Sequence, residues 1–283
     1  AESEVAAINM VYGAGSAGAR VMTSSSSPGI SLKQEGISYI AGAEVPCLIV
    51  NVMRGGPGLG NIAPAQSDYW QSTRGGGHGD YRTIVLAPNS VQEMADMTLT
   101  GFDLADRFRN PVLLLSDGVL GQMMEPVNLP EPNDYDINSK KWALGYRGSD
   151  KSERNLCSSI FLDNDELEEH NWHLYQKYQV ITDLFSKGEY KDFAVEEHLC
   201  DDAEIILVGY GIISRILKTV VEKCRKRGIK AGLVRPKVLW PFPTAVFERL
   251  AKTASQFLVV EMSCGQMVED VKLSVDGKKP VFF

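Results

Sequence analysis

The sequence predicts an α/β protein built from two parallel-sheet units, and three observations carry that reading. Short apolar runs alternate with segments of helical period toward both ends of the chain. A polar stretch separates the two alternating blocks. The 283 residues, 44% hydrophobic and 23% charged, suffice for two compact cores. Strands that alternate with helices pair in parallel and are covered on both faces.

The first block opens with a helical pattern from Glu4 to Tyr12 that continues through small residues to Ala19, then a strand near Arg20–Ser24. A helix at Leu32–Ala43 and a strand at Val45–Val52 follow. After a loop from Met53 to Tyr81 come a strand at Thr83–Leu86, a helix at Val91–Arg109 capped by Asn89 or Ser90, and a strand at Pro111–Ser116. Residues 128–202 are rich in Pro, Asp, Asn, Glu and Lys and hold every histidine except His78; within them Asp165–Phe185 has a helical pattern. The rest reads as a long connection that covers a surface or meets a partner. The second block runs strand Glu204–Val208, helix Ile212–Arg227, strand Ala231–Val234, helix Thr244–Ala254, strand Phe257–Glu261, a helix near Gly265–Ser274 and strand Lys279–Phe283. The expected boundaries are therefore 1–127, 128–202 and 203–283.

Composition excludes several classes of function. A net charge of -7 and a pI near 5.2 argue against a dedicated nucleic-acid binder, which needs clustered Lys and Arg. The one dense basic run, Lys223–Lys230, reads as the solvated C-terminal end of a helix. No apolar run approaches the roughly 20 residues that cross a bilayer, no signal-peptide pattern is read, and a cytoplasmic location is expected. Cys47, Cys157, Cys200, Cys224 and Cys264 are scattered, with no spacing that would seat zinc or an iron-sulfur cluster, so any electron-carrying cluster is expected on another chain.

Two glycine patterns invite a dinucleotide reading. Gly13 to Gly18 spells G-x-G-x-x-G, but the fingerprint needs a strand before it and a helix after it, and the stretch Ser24–Gly29 reads as unable to sustain a helix. Small residues at Ala6, Ala7, Gly13, Ala14, Ala17 and Gly18 read instead as a surface for close helix packing. Gly209-Tyr210-Gly211 does follow a strand and open a helix, yet Ser214 stands where the third glycine belongs. A tight turn explains it equally well.

Arg54 heads the glycine-rich loop MRGGPGLGNIAPAQSDYWQ directly after the apolar run Pro46–Val52. A strand that ends in a cation and a flexible loop puts charge at a sheet edge, where open α/β folds bind ligands. Taken with SEVAAINMVYGAGSAGARVMTSSSSPGISL, EVPCLIVNVMRGGPGLGNIAPAQSDYWQ, GGGHGDYRTIVLAP, RPKVLWPFP and VVEMSCGQM, the chain resembles the α subunit of the 2-oxoacid:ferredoxin oxidoreductases over nearly its whole length. Within that group it is most similar to the type acting on 2-ketoisovalerate (3-methyl-2-oxobutanoate), and next to the 2-oxoglutarate type.

The resemblance implies a thiamine-diphosphate pyrimidine-type domain followed by a smaller transketolase-C-terminal-like α/β domain. It also implies a shared active site: a β subunit supplies the diphosphate and magnesium motif and an iron-sulfur cluster, with γ and δ subunits, ferredoxin, coenzyme A and a 2-oxoacid as further partners. Glu4 matches the glutamate directed at the aminopyrimidine ring, where a carboxylate on the ring nitrogen favours the imino tautomer that activates the thiazolium carbon. From the residues alone it is only an acid in a first helical turn, where the helix dipole favours it. Arg54 matches the cation presented to the 2-oxoacid, its planar fork suiting a carboxylate in two-point contact. Ser27 and Gly29, in the stretch Ser24–Gly29, are candidates to line the cofactor pocket through hydroxyls and backbone amides, a turn being an equal alternative.

His78 faces either the site or the β subunit, or is a loop histidine held by local backbone. Family members carry a strand and helix with a Tyr-Pro-Ile-Thr-Pro type motif ahead of the helix that bears Glu4, and that segment is expected to be missing here. Two other functions stay open at this point: a nicotinamide-dependent dehydrogenase using one of the glycine patterns, and a noncatalytic scaffold subunit.

Overall fold

The computed structural model describes residues 1–131, 136–144, 146 and 155–283; residues 132–135, 145 and 147–154 of the expected connection lie outside the described residues. The first half contains α1 (Glu4–Ser16), β1 (Met22–Ser25), α2 (Ser27–Gly42), β2 (Cys47–Met53), α3 (Tyr69–Thr73), β3 (Ile84–Leu86), α4 (Val91–Phe108), β4 (Pro111–Asp117) and α5 (Gly118–Gln122). A single 3-10 turn at Ile137–Ser139 precedes α6 (Asn164–Ser186), α7 (Lys191–Ala194) and β5 (Val195–His198). The second half runs β6 (Ile205–Val208), α8 (Gly211–Lys226), β7 (Ala231–Pro236), β8 (Val238–Trp240), α9 (Thr244–Leu250), β9 (Gln256–Val259), α10 (Met267–Val275) and β10 (Val281–Phe282).

Two five-stranded sheets result, ordered β1-β2-β4-β3-β8 and β10-β9-β6-β7-β5. Every pairing is parallel except β3 with β8 and β5 with β7. The central strands β2 and β4 pair in register from Cys47 opposite Pro111 to Met53 opposite Asp117 and are buried almost throughout, which is why their sequences are continuously apolar rather than alternating. Helix α4 starts at Ser90, whose hydroxyl accepts from the Glu93 amide at 3.1 Å, while the Glu93 carboxylate accepts from the Asn89 amide at 2.9 Å. These bonds satisfy amides that a helix start leaves without partners.

Three local expectations change. Helix α2 begins at Ser27 rather than Leu32, because Pro28 occupies the first turn, where its missing N–H is harmless. Strands β5 and β8 had no periodic signal, being four and three residues long. As edge strands they fasten the middle of the chain to the second sheet and the β7–β8 segment to the first. Finally, of the small residues expected to pack closely, Ala6, Gly13 and Ala14 of α1 and Ala17 at its C-cap are exposed and Ala7 is half-buried, while Gly18 is buried, a Cβ there coming within 3.0 Å of Ala143. The close packing instead uses Gly15, where a Cβ would come within 2.7 Å of Val45, and Gly36 of α2, where it would come within 2.5 Å of Ile8.

Arg235 of β7 pins the two halves together. Only 1% exposed, its guanidinium binds Glu93 of α4, donates to the Ala87 carbonyl at 3.2 Å and pairs with Glu196 of β5 at 2.9 Å. Burial pushes both carboxyls up, but the bonds and charge of Arg235 outweigh it and hold both below their ordinary value of 4.5. Since the folded-state values are depressed, this stabilisation is complete above pH 4.5 and is lost as pH falls below it. Arg235→Met is expected to cost about 2 kcal/mol at neutral pH by taking the shared cation from two partly buried carboxylates, which keep Lys237 at 3.7 Å and Lys218 at 3.3 Å as weaker partners. Denaturant unfolding at pH 7 and pH 4 should show the deficit shrinking in acid; an equal deficit at both would remove the ion pairs as its cause.

Candidate active site

The C-terminal ends of β1 and β2 and the N-terminus of α2 meet at one edge of the first sheet, and the predicted residues Glu4, Ser27, Gly29 and Arg54 gather there. Glu4 is the first residue of α1, behind the N-cap Ser3, and is partly buried. The Ser25 hydroxyl, at the end of β1, faces its Oε1 at 3.4 Å. Gly29 is present for space: a Cβ there would stand 2.0 Å from Ser25 Oγ and 2.8 Å from Glu4 Oε1. Helix α2 can therefore bring its first turn against this carboxylate only without a side chain at that position.

Ser27 connects this corner to Arg54. Its hydroxyl donates to Asp68 Oδ2 at 2.5 Å and accepts from the Arg54 backbone amide at 3.1 Å, so the oxygen is spent on the protein. Asp68 also takes a hydrogen bond from Asn51 Nδ2 at 2.9 Å. Asn51 is fully buried in β2, and its Oδ1 has no partner among the described residues.

Arg54 follows the last residue of β2, as the run into the glycine-rich loop indicated. A bridge to Pro64 and the Gly55 amide bond to the Ala63 carbonyl (2.8 Å) tie the two arms of that loop together. The Nη2 of Arg54 reaches the Leu59 carbonyl at 3.4 Å, while its buried Nε has no partner among the described residues. Leu59 and Ile62, at the loop tip, are 80% and 82% exposed. The next segment is gripped by the second half: Gln66 Nε2 donates to the Tyr210 carbonyl (3.0 Å), the Tyr69 hydroxyl to Asp270 (2.5 Å), and the Trp70 amide to Gln266 Oε1 (3.0 Å). Asp68 thus stands between the site and the docking of the two halves.

His78 lies elsewhere. It is exposed, its carbonyl accepts from Ser38, and its ring edge meets Tyr39, both toward the far end of α2. Nine residues of helix separate Ser38 from Gly29, about 14 Å at 1.5 Å per residue.

Neither glycine pattern forms a phosphate cradle. Gly13 to Ser16 is the C-terminal end of α1 and Gly18 lies just past its cap, so helix rather than strand leads into the pattern. At the N-terminus of α8, Gly211 adopts φ +56°, and a Cβ there would come within 3.1 Å of Gln66 and 3.4 Å of Asp117, so the first half already fills the space.

Two buried polar residues, Asn51 and Lys33, and the half-buried Asp68 escaped sequence reasoning. Asn51 was detectable as the one amide inside an apolar strand. Lys33 shares a helical face with Ile30, Ile37 and Ile40, a cation where an apolar residue belongs, and is 1% exposed. Asp68 gave no signal, since a loop acid is ordinarily solvated. Among the described residues no group of three or more His, Cys, Asp or Glu could hold a metal ion, and no helix is long and apolar enough to cross a membrane.

The chain matches known protein families in both of its halves. The thiamine-diphosphate-binding domain of pyruvate flavodoxin/ferredoxin oxidoreductase matches residues 1–183, and core domain II of pyruvate:ferredoxin oxidoreductase matches residues 203–283. Ketoisovalerate oxidoreductase subunit VorB of Methanothermobacter marburgensis is 56% identical over 97% of this chain and 75% of its own length. The 2-oxoglutarate synthase subunit KorA of Archaeoglobus fulgidus is 38% identical over 96% and 76%. Among solved structures, the 2-oxoglutarate:ferredoxin oxidoreductase from Magnetococcus marinus, with 2-oxoglutarate, coenzyme A and succinyl-CoA bound, superposes over all of this chain with a TM-score of 0.81 at 25% identity. This chain spans 53% of that one, about half its length. A split gene transketolase shares the fold, with a TM-score of 0.56 at 12% identity over 99% of this chain and 71% of that one.

Proposed function

Because this chain belongs to the 2-oxoacid:ferredoxin oxidoreductase family, with a thiamine-diphosphate-binding domain as its first half, we propose that it is the α subunit of an enzyme of the ketoisovalerate type. The reaction is the oxidative decarboxylation of 2-ketoisovalerate with coenzyme A. The bond between the oxo carbon and the carboxylate breaks to release carbon dioxide, a thioester forms to coenzyme A, and two electrons leave singly to ferredoxin. When bound, thiamine diphosphate supplies the electron sink for the decarboxylation.

The observation that carries this reading is the corner where Glu4, cleared by Gly29, and Arg54, with its unspent Nε, flank the first turn of α2. A carboxylate with one long hydrogen bond suits an aminopyrimidine nitrogen: Glu4 holds the proton there and orients the ring. Gly29 lets the first turn of α2 pack directly against this carboxylate. Arg54 binds the carboxylate of the 2-oxoacid in two-point contact and aligns its oxo carbon, a proximity effect. Ser27 serves the pocket through backbone position, its hydroxyl holding Arg54 in place.

This chain supplies one wall. The diphosphate and its magnesium, the iron-sulfur clusters and the closing surface belong to β, γ and δ partner subunits, and exposed Leu59 and Ile62 at the loop tip supply apolar area for such a contact. Turnover of a panel of 2-oxoacids by the assembled complex, with coenzyme A and reduction of a viologen dye as readout, should give the highest kcat/KM for 2-ketoisovalerate. A preference for 2-oxoglutarate or pyruvate would overturn the substrate assignment. Turnover that needs NAD and not thiamine diphosphate would overturn the reaction class.

A further inference from the structure

The least expected charge in the first half is Lys33, an ammonium 1% exposed on the inner face of α2. Its Nζ donates to Thr23 Oγ1 at 2.7 Å and to the Ser24 carbonyl at 3.0 Å, both on β1. Among the described residues no carboxylate forms an ion pair with it; the charge that acts on it is that of Glu4. Burial lowers the affinity of this ammonium for its proton, and Glu4 opposes that effect.

The surrounding geometry joins the two residues. Lys33 stands one turn beyond Gly29 on α2, on the side that carries the contact with Glu4. The β1 atoms that it binds immediately precede Ser25, whose hydroxyl faces Glu4 Oε1. Strand β1 brings only Met22, Thr23, Ser24 and Ser25 to this corner and no charge of its own. The charged side chains on the other side of Ser27 are Arg54 and Asp68.

Resting on the assignment of Glu4 to the aminopyrimidine, we propose that Lys33 is its positioning residue: it fixes the end of β1 from below and sets a buried positive charge behind the carboxylate. A lysine held there for packing alone would be replaced without loss by an apolar side chain, since an isolated buried ammonium is costly. Its two bonds to β1 and its field on Glu4 give the charge a use.

A double-substitution cycle in the assembled complex tests this, with thiamine diphosphate affinity measured by calorimetric titration and the thermal midpoint of the cofactor-free complex measured alongside. Lys33→Met, which keeps the stem and removes the charge, is expected to weaken thiamine diphosphate binding about tenfold, the equivalent of one ordinary charge interaction. In a Glu4→Gln background the same substitution should cause almost no further loss. An equal loss in both backgrounds, or unchanged affinity in the Glu4 background, would overturn the role of Lys33. Should Lys33→Met fail to assemble, Thr23→Val removes one of its acceptors at constant shape and should give a smaller loss, again only with Glu4 present; equal losses overturn the proposal here too. If Glu4→Gln by itself leaves affinity and turnover unchanged, the assignment of Glu4 is what has failed, and the role given to Lys33 goes with it.

Discussion

Replacing Glu4 with Gln is expected to lower kcat of the assembled complex by about a thousandfold, within the range that a positioned acid-base group contributes. Gln keeps the length of the side chain but cannot hold a proton as a carboxylate does. The fold should lose little: Glu4 is partly buried at the start of α1 with a long bond to Ser25, the helix-dipole contribution of a first-turn acid is below about 1 kcal/mol, and Lys33, which loses the charge of Glu4, keeps its bonds to Thr23 and Ser24. The decisive comparison sets single-turnover decarboxylation beside thermal unfolding of the same preparations. Turnover within a few-fold of the parent, at unchanged stability, would leave Glu4 a capping acid and revive the noncatalytic reading of this chain.

The second large effect is expected at Arg54. Arg54→Lys retains the charge and should still reduce kcat/KM for 2-ketoisovalerate by about a hundredfold, mostly through KM, because an ammonium cannot reproduce the two-point contact of the guanidinium with a carboxylate. Arg54→Ala should add roughly another factor of ten by removing the charge itself. The loop should keep its path in both, since Ser27 holds the Arg54 backbone amide and the Pro64 bridge is a backbone contact. Steady-state kinetics over a range of 2-oxoacid concentration separates the outcomes. Equal activity of the Lys variant and the parent would mean that Arg54 acts as a diffuse charge, and unchanged activity of the Ala variant would remove it from the substrate site.

Much of the fold was legible because its strands and helices carry strong local signals. Strands β2 and β4 stood out as uninterrupted apolar runs, and the start of α4 was marked by Asn89 or Ser90, of which the structure makes Ser90 the cap. Strands β5 and β8 were silent: a strand of three or four residues at a sheet edge has too few side chains to show a period, and its partners lie far along the chain. The start of α2 was misjudged because Ser, Pro and Gly are poor helix formers in the interior, whereas the first turn tolerates all three. Arg54 could be placed from the sequence since it directly follows a strand. The surroundings of Asp68 could not, because its partners Ser27 and Asn51 come from other elements and nothing near it in the chain marks it as shielded.

What the sequence determined by itself is the alternation of strands and helices, the division into two α/β blocks, and the family to which several ordered motifs pointed; these are properties of short windows and of their order. Only the tertiary structure decided that Gly29 clears Glu4, that the Ser27 hydroxyl is spent on Asp68 and Arg54, that His78 is remote, and that Lys33 is a buried charge behind the site. The physical reason is that each of these depends on how closely α1, β1 and α2 approach one another. That separation is set by packing at Gly15 and Gly36, and no local pattern encodes it.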